Sequence, residues 1–180
     1  MSIDTDYAVL REVLENHFFS GWAAEFGVYS GYSLRLIAEH LPVIGFDSFE
    51  GLPEDWRPGF PKGKFADRLP TVPAYGHNVM IQKGWFEDTV PNFPFPTLDL
   101  VHIDCDLYSS TVTALNGVVD YLTSGSIIVF DEFHGYDGWE NHEAKAWDEF
   151  AASNGLVYRA IAEGEQEKAF EILAFGVIPE

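Results

Sequence analysis

Acidic residues stand directly after two apolar runs of this chain, where strands are expected to end. Asp104 and Asp106 follow one run, and Asp131 and Glu132 follow the next. Carboxylates packed together repel one another unless a cation or hydrogen-bond donors intervene. Carboxylate oxygens suit Mg2+ or Ca2+ better than zinc, which prefers His or Cys. These residues therefore predict a divalent-cation site. The alternative is that they are solvated strand ends or caps, and Asp106 is the best suited to capping a helix or contacting a cofactor.

The segment Glu25–Gly31 carries a second chemical signal, between an apolar run and a helix-like run. Gly27 and Gly31 allow a tight turn that approaches a ligand closely, and free N–H groups at a helix start favour an anionic group. Asp47 closes the next apolar run, where a carboxylate can accept hydrogen bonds from ribose hydroxyls. Together these residues predict a nucleotide-binding turn. The alternative is a glycine turn that serves packing alone.

The glycine spacing is G-x-x-x-G, preceded by Glu25, and so differs from the dinucleotide fingerprint. With an acid closing the next strand, it resembles the first two motifs of class I S-adenosylmethionine-dependent methyltransferases. In that class the turn holds the methionine end of the cofactor, and the acid binds the ribose. The resemblance assigns cofactor contacts to Glu25, Gly27, Tyr29, Ser30, Gly31, Asp47, Ser48, Trp85, Asp88 and Asp104.

Four further segments resemble the macrocin O-methyltransferase family. They are Asp47–Pro53, Gly84–Pro91, Ile103–Thr111 and Ile128–Phe133. Members of that family methylate sugar hydroxyls of natural products, and characterised members use Mg2+ held by three acidic side chains. The resemblance places these ligands at Asp104, Asp131 and Glu132. Where the family usually has two adjacent aspartates, this chain has Asp131-Glu132, whose second side chain is one methylene longer.

The activity implied is transfer of a methyl group from S-adenosylmethionine to a small hydroxylated acceptor. The protein must align the acceptor and remove its proton. Asp104 and His134 are the candidate catalytic bases, with His142 as a weaker candidate. Tyr136 and Trp139 either line the acceptor pocket or anchor their loop. A metal-free N- or O-methyltransferase and a non-catalytic nucleoside-binding module are the alternatives.

Apolar runs of strand length alternate with segments of helical periodicity, which predicts an α/β fold with a mainly parallel sheet. Two final runs joined by polar residues predict a hairpin. The methyltransferase resemblance implies a Rossmann-like, doubly wound sheet of seven strands with an antiparallel C-terminal hairpin strand. We expect a single methyltransferase domain over residues 1–180, with an N-terminal helix within residues 1–20.

Local signals predict where several elements begin and end. Phe18 continues the apolar face of the opening helix, which Asp4, Thr5 or Asp6 can cap. A strand is expected over Val79–Phe86. A later helix is expected to be capped by one of residues 109–111 and to be ended by Gly125.

Residues 50–76 are rich in proline and glycine, which predicts a long connection that acts as a lid or substrate loop. Four basic residues fall within it: Arg57, Lys62, Lys64 and Arg68. They either close over an acidic acceptor or balance the surrounding negative charge.

Composition restricts the partners and the compartment. A formal net charge of −19 argues against nucleic acid and against an anionic membrane surface as partners. Cys105 is the single cysteine, which excludes an internal disulfide and favours a reducing compartment. The N-terminal residues lack the pattern of a signal peptide. We therefore expect a cytoplasmic protein; a homodimer is compatible with the sequence, which leaves the oligomeric state open.

Overall fold

A computed structural model of the chain describes residues 7–66, 78–91 and 93–176. Within these ranges the strands are β1 (Trp22–Phe26), β2 (Val43–Asp47), β3 (Val79–Lys83), β4 (Leu98–Ile103), β5 (Leu122–Phe130), β6 (Leu156–Glu163) and β7 (Lys168–Phe175). They form one seven-stranded sheet in the order β3-β2-β1-β4-β5-β7-β6. Strand β7 is antiparallel to both of its neighbours, and the other neighbouring strands are parallel. The predicted Rossmann-like sheet with its antiparallel hairpin strand is confirmed.

Helices cover both faces of the sheet. They are α1 (Ala8–Asn16), α2 (Tyr32–Ala38), α3 (Phe86–Thr89), α4 (Tyr108–Val118) and α5 (Glu143–Ser153). Successive residues of a strand enter different cores, because their side chains point to opposite faces. Val129 joins the core that includes α1 and α2, whereas Phe130 joins the core that includes α4 and α5. Burial on both faces explains why the central strands are continuous apolar runs.

The first turn of α1 is held by a residue near the other end of the chain. The Glu167 carboxylate accepts hydrogen bonds from the backbone N–H groups of Val9 and Leu10. The predicted capping residues Asp4, Thr5 and Asp6 lie outside the described residues. The prediction that Phe18 shares the buried face of this helix is wrong, since the helix ends at Asn16 and Phe18 is 93% exposed.

Three other predicted boundaries are also wrong. The strand expected over Val79–Phe86 ends at Lys83, and Phe86 begins α3. None of residues 109–111 caps α4, whose N-cap residue is Leu107 and lacks a side-chain cap. Gly125 lies within β5 instead of ending a helix, because the chain leaves α4 through a 3-10 turn and enters the strand at Leu122.

In the part of the chain that the structure describes, every helix is too short or too polar to cross a membrane.

Candidate functional site

A cleft of about 700 Å3 lies at the carboxyl ends of the central parallel strands. This volume is typical of small-molecule sites, and the position is where open α/β sheets bind ligands. The predicted site residues that line it are Gly27, Tyr29, Asp47, Ser48, Trp85, Asp104, Asp131 and Glu132. Segments distant in sequence therefore converge at one edge of the sheet, as the positions of the strand-end acids had indicated.

Five of the predicted site residues do not line the cleft. They are Glu25, Ser30, Gly31, Asp88 and His134. Glu25 is fully buried, and His134 Nε2 lies 3.3 Å from Glu163 Oε1 instead of facing the cleft. On α3, Phe86 and Glu87 line the cleft, whereas Asp88 does not. The contacts assigned to these five residues stay predictions.

Asp47 organises the glycine turn. Its Oδ2 accepts hydrogen bonds from the backbone N–H groups of Val28 and Tyr29, each at 2.8 Å, and its Oδ1 accepts one from Phe49 at 2.7 Å. The turn N–H groups that we expected to meet an anionic group are thus bonded to this side chain. A carboxylate has about four acceptor positions, so one on Oδ1 is available for a ligand hydroxyl.

Asp104 and Asp131 lie together on the α1 side of the sheet edge. One carboxylate oxygen of Asp104, one of Asp131 and one ring nitrogen of His102 all lie within 4.8 Å of one another. Tyr7 O–H donates a hydrogen bond of 3.1 Å to Asp104 Oδ2. His102 Nδ1 lies 3.0 Å from Glu25 Oε1, and both of these side chains are fully buried. Two carboxylates and an imidazole provide a donor set that fits a divalent cation.

Glu132 does not belong to this group. It lines the same cleft as Asp131, but it has no ligand atom in the group that joins His102, Asp104 and Asp131. Its carboxyl interacts with that of Asp106, and its backbone N–H donates to Glu143 Oε2 at 3.3 Å. Glu132 as a metal ligand stays a prediction.

Several residues that sequence reasoning missed also line the cleft. They include Tyr7, Glu54, Phe65, Glu87, Ser109, Ser110 and Thr113. The ring of Phe65 packs edge-on against Tyr29 at 5.8 Å between centroids, which connects the glycine turn to the 50–76 segment. No local pattern marks Tyr7 or Phe65, because each reaches the cleft through contacts distant in sequence.

The described basic residues of the 50–76 segment do not line the cleft; they are Arg57, Lys62 and Lys64. The Arg57 guanidinium lies against the rings of Trp56, Phe60 and Tyr136 at 4.0, 4.6 and 4.5 Å from their centroids. Tyr136 belongs to a buried cluster against which Trp139 packs, which fits loop anchoring better than acceptor binding. Arg68 and the rest of the segment from residue 67 to 76 lie outside the described residues.

Burial governs the ionisation of the acids in and around the cleft. It raises the pKa of Asp104 to about 7 and that of Asp106 to about 6, each from an ordinary 3.8. Burial, followed by the charge of Asp104, raises the pKa of Asp131. Burial also raises the pKa of the Cys105 thiol, which keeps it protonated.

We expect the metal-free protein to lose stability as the pH rises from about 5.5 to about 8. A carboxyl whose pKa is raised by folding binds more protons in the native than in the unfolded state, so its ionisation favours unfolding. The expected loss is about 2 kcal/mol, or about 5 °C in Tm, measured by thermal denaturation in EDTA. The measurement is made at high salt, which screens the exposed charges and leaves the buried carboxyls as the main source of the change. Glu143→Gln removes one buried ionisable group and should reduce the slope; a Tm that is constant or rises with pH would contradict this expectation.

Comparison with known proteins identifies the family of this chain. The macrocin-O-methyltransferase (TylF) family model matches residues 73–162, half of the chain. The 8-demethyl-8-(2,3-dimethoxy-alpha-L-rhamnosyl)-tetracenomycin-C 4'-O-methyltransferase of Streptomyces olivaceus is 34% identical over 104 residues, which cover 48% of this chain and 40% of that protein. The mycinamicin III 3''-O-methyltransferase of Micromonospora griseorubida is 29% identical over 143 residues, covering 68% of this chain and 55% of that protein. The matched segments thus span about half the length of these relatives.

Solved structures agree with the fold. The O-methyltransferase NovP superposes with a TM-score of 0.75 at 22% identity, over 92% of this chain and 78% of NovP. The calicheamicin methyltransferase CalS11 superposes with a TM-score of 0.69 at 25% identity, over 91% of this chain and 76% of CalS11. From the match to the family model, together with the sheet topology, this chain belongs to the macrocin O-methyltransferase (TylF) family.

Proposed function

We propose that this protein is an S-adenosylmethionine-dependent O-methyltransferase, assisted by a divalent cation, that acts on a hydroxyl of a small molecule such as a sugar or natural product. The observation that carries the proposal is a single cleft lined by two chemically different groups. One group is Asp47 with the glycine turn, which we assign to the cofactor, and the other is the half-buried pair Asp104 and Asp131, which we assign to the acceptor. Family membership supports methyl transfer, and two relatives are named for O-methylation of a rhamnosyl-tetracenomycin and of mycinamicin III.

The cofactor end offers matching groups for an adenosyl sulfonium. S-adenosylmethionine supplies a methyl group on a carbon that already has a good leaving group. The open acceptor position on Asp47 Oδ1 suits a ribose hydroxyl, and Trp85 and Phe86 offer flat apolar walls for a purine. The acids of the lining complement the positive sulfonium, while Gly27 keeps the turn close to Asp104.

The acceptor end must orient a hydroxyl and remove its proton. A divalent cation, Mg2+ by the family resemblance, supplies Lewis acidity that lowers the pKa of a bound hydroxyl. Asp104 and Asp131 would hold the ion. Asp104 is also the base that we favour, because its side chain lines the cleft next to Asp131 and so can reach a hydroxyl that is held there. His134 is less suited to this role because its ring is directed at Glu163.

We further propose that the protein acts in the cytoplasm without a nucleic-acid or membrane partner. The net charge of −19 supports this, since phosphate backbones and anionic lipids repel an acidic surface. A homodimer remains compatible with the proposal.

Ligand-dependent stability and turnover test the function together. We expect S-adenosylmethionine at 100 times its Kd to stabilise the protein by about 2.7 kcal/mol, a Tm increase of about 8 °C. Radiolabelled methyl transfer to a panel of glycosides and phenols should fall at least about 100-fold in EDTA and return with Mg2+. Absence of any Tm increase would reject the cofactor. Turnover that EDTA does not change would favour a metal-free methyltransferase, and binding without turnover on any acceptor would favour a nucleoside-binding module.

A further inference from the structure

His102, a buried histidine of β4 two residues before Asp104, has one ring nitrogen without a hydrogen-bond partner among the described residues. His102 is fully buried, and its Nδ1 lies 3.0 Å from Glu25 Oε1. Its Nε2 is also buried and has no hydrogen-bond partner among the residues that the structure describes. Leaving a buried polar atom unpaired is energetically unfavourable. A ligand for Nε2 would remove this penalty.

The sheet register places this histidine on the same face as the paired acids. Glu25 of β1 pairs with His102 of β4, and His102 pairs with Val129 of β5. Side chains two residues apart on a strand share a face. Asp104 therefore follows His102 on that face, and Asp131 follows Val129. The ligand atoms of His102, Asp104 and Asp131 all lie within 4.8 Å of one another, a gap suited to one ion.

We propose that His102 Nε2 is the third protein ligand of the divalent cation, with one carboxylate oxygen each from Asp104 and Asp131. This refines the metal end of the proposed function and rests on it for its biological use. An imidazole nitrogen favours first-row transition ions, whereas Mg2+ prefers oxygen ligands alone. The site therefore selects an ion such as Mn2+ over Mg2+ more strongly than three carboxylates would.

Glu25 positions the histidine for this role. A carboxylate that accepts a hydrogen bond from Nδ1–H favours the tautomer in which Nε2 carries the free electron pair, and it orients the ring. Such carboxylate–histidine pairs are typical of protein metal sites. This also gives Glu25 a function in the site although it does not line the cleft. The competing interpretation is that Glu25 and His102 form a hydrogen bond that only joins β1 to β4.

Pulsed EPR of Mn2+ bound to the metal-free full-length protein tests the proposal. We expect electron spin echo modulation from one directly coordinated 14N nucleus at one Mn2+ per chain. His102→Asn keeps an amide that can donate to Glu25 but has no group at the Nε2 position. It should abolish the 14N modulation and weaken Mn2+ binding at least about tenfold by calorimetry, with a smaller loss for Mg2+. His40→Asn, at an exposed histidine that follows α2, is the control and should change neither quantity.

Bound Mn2+ without 14N coupling in the unmodified protein would overturn the proposal, and so would absence of Mn2+ binding. This measurement needs no variant, so it decides the question even if His102→Asn fails to fold. Glu25→Gln should retain the 14N signal and weaken Mn2+ binding about 10- to 100-fold. The proposed function and the proposed His102 ligand can be rejected independently. Nitrogen coordination without methyl transfer to any acceptor would reject the function, while Mg2+-dependent transfer without nitrogen coordination would reject this site.

Discussion

Asp131→Asn is expected to reduce kcat for methyl transfer about 1000-fold while changing the Kd for S-adenosylmethionine less than threefold. The substitution keeps the size of the side chain but removes the charge that pairs with Asp104 around the cation. Loss of one group that stabilises charge at a reacting centre typically costs a factor of about 100–1000. In the described hydrogen bonds the glycine turn is held by Asp47 and not by Asp131, so cofactor binding should persist.

Turnover on an accepted substrate and calorimetric titration with S-adenosylmethionine measure the two quantities. Asp120→Asn is the matched control, because Asp120 is an exposed acid in the 3-10 turn after α4. It should leave both quantities unchanged. If Asp131→Asn retained more than about a tenth of the turnover, or lost cofactor affinity in parallel with turnover, the metal would not act on the acceptor.

Gly27→Ala is expected to lower the free energy of unfolding by about 3–5 kcal/mol. Gly27 has φ 96°, and a Cβ at this position would lie 1.7 Å from the carbonyl oxygen of Asp104. That oxygen belongs to the backbone, so relief requires the end of β4 to move away from the turn. The cost therefore combines an unfavourable backbone conformation with a steric collision between two chain segments.

Urea denaturation followed by tryptophan fluorescence measures this loss. Gly59→Ala is the matched control, because Gly59 has φ 90° but open space around the position of the Cβ. It should cost only about 1–2 kcal/mol. Failure to recover folded Gly27→Ala protein under conditions where Gly59→Ala folds would agree with the prediction. Equal stability of the two variants would show that the turn can relax, and that Gly27 is not required for this packing.

The pattern of apolar residues was sufficient to predict much of the sheet. Strands β1 and β2 and helix α5 each coincide with an unbroken apolar run or a clear helical stripe, which continuous burial produces. Boundaries that depend on tertiary packing were harder to predict. Gly125 has the residue type of a helix end, yet pairing of β5 with its neighbours draws the chain into a strand before this glycine.

The candidate site could be predicted from the sequence where its residues directly follow strands. Acids that follow parallel strands must meet at one edge of the sheet, which is why Asp47, Asp104 and Asp131 were found from the sequence. Which acids come close to one another was not predictable. Asp131 and Glu132 are adjacent in sequence and line the same cleft, but only Asp131 joins the group with His102 and Asp104.

The amino-acid sequence by itself determined the order of strands and helices along the chain and the residue types at the strand ends, since both are local properties. Only the tertiary structure decided that Tyr7 donates to Asp104 and that Glu25 holds His102. These contacts join residues 97 and 77 positions apart. They depend on which strands become neighbours, in what register and on which face. Long-range pairing sets those three properties, and no local pattern encodes them.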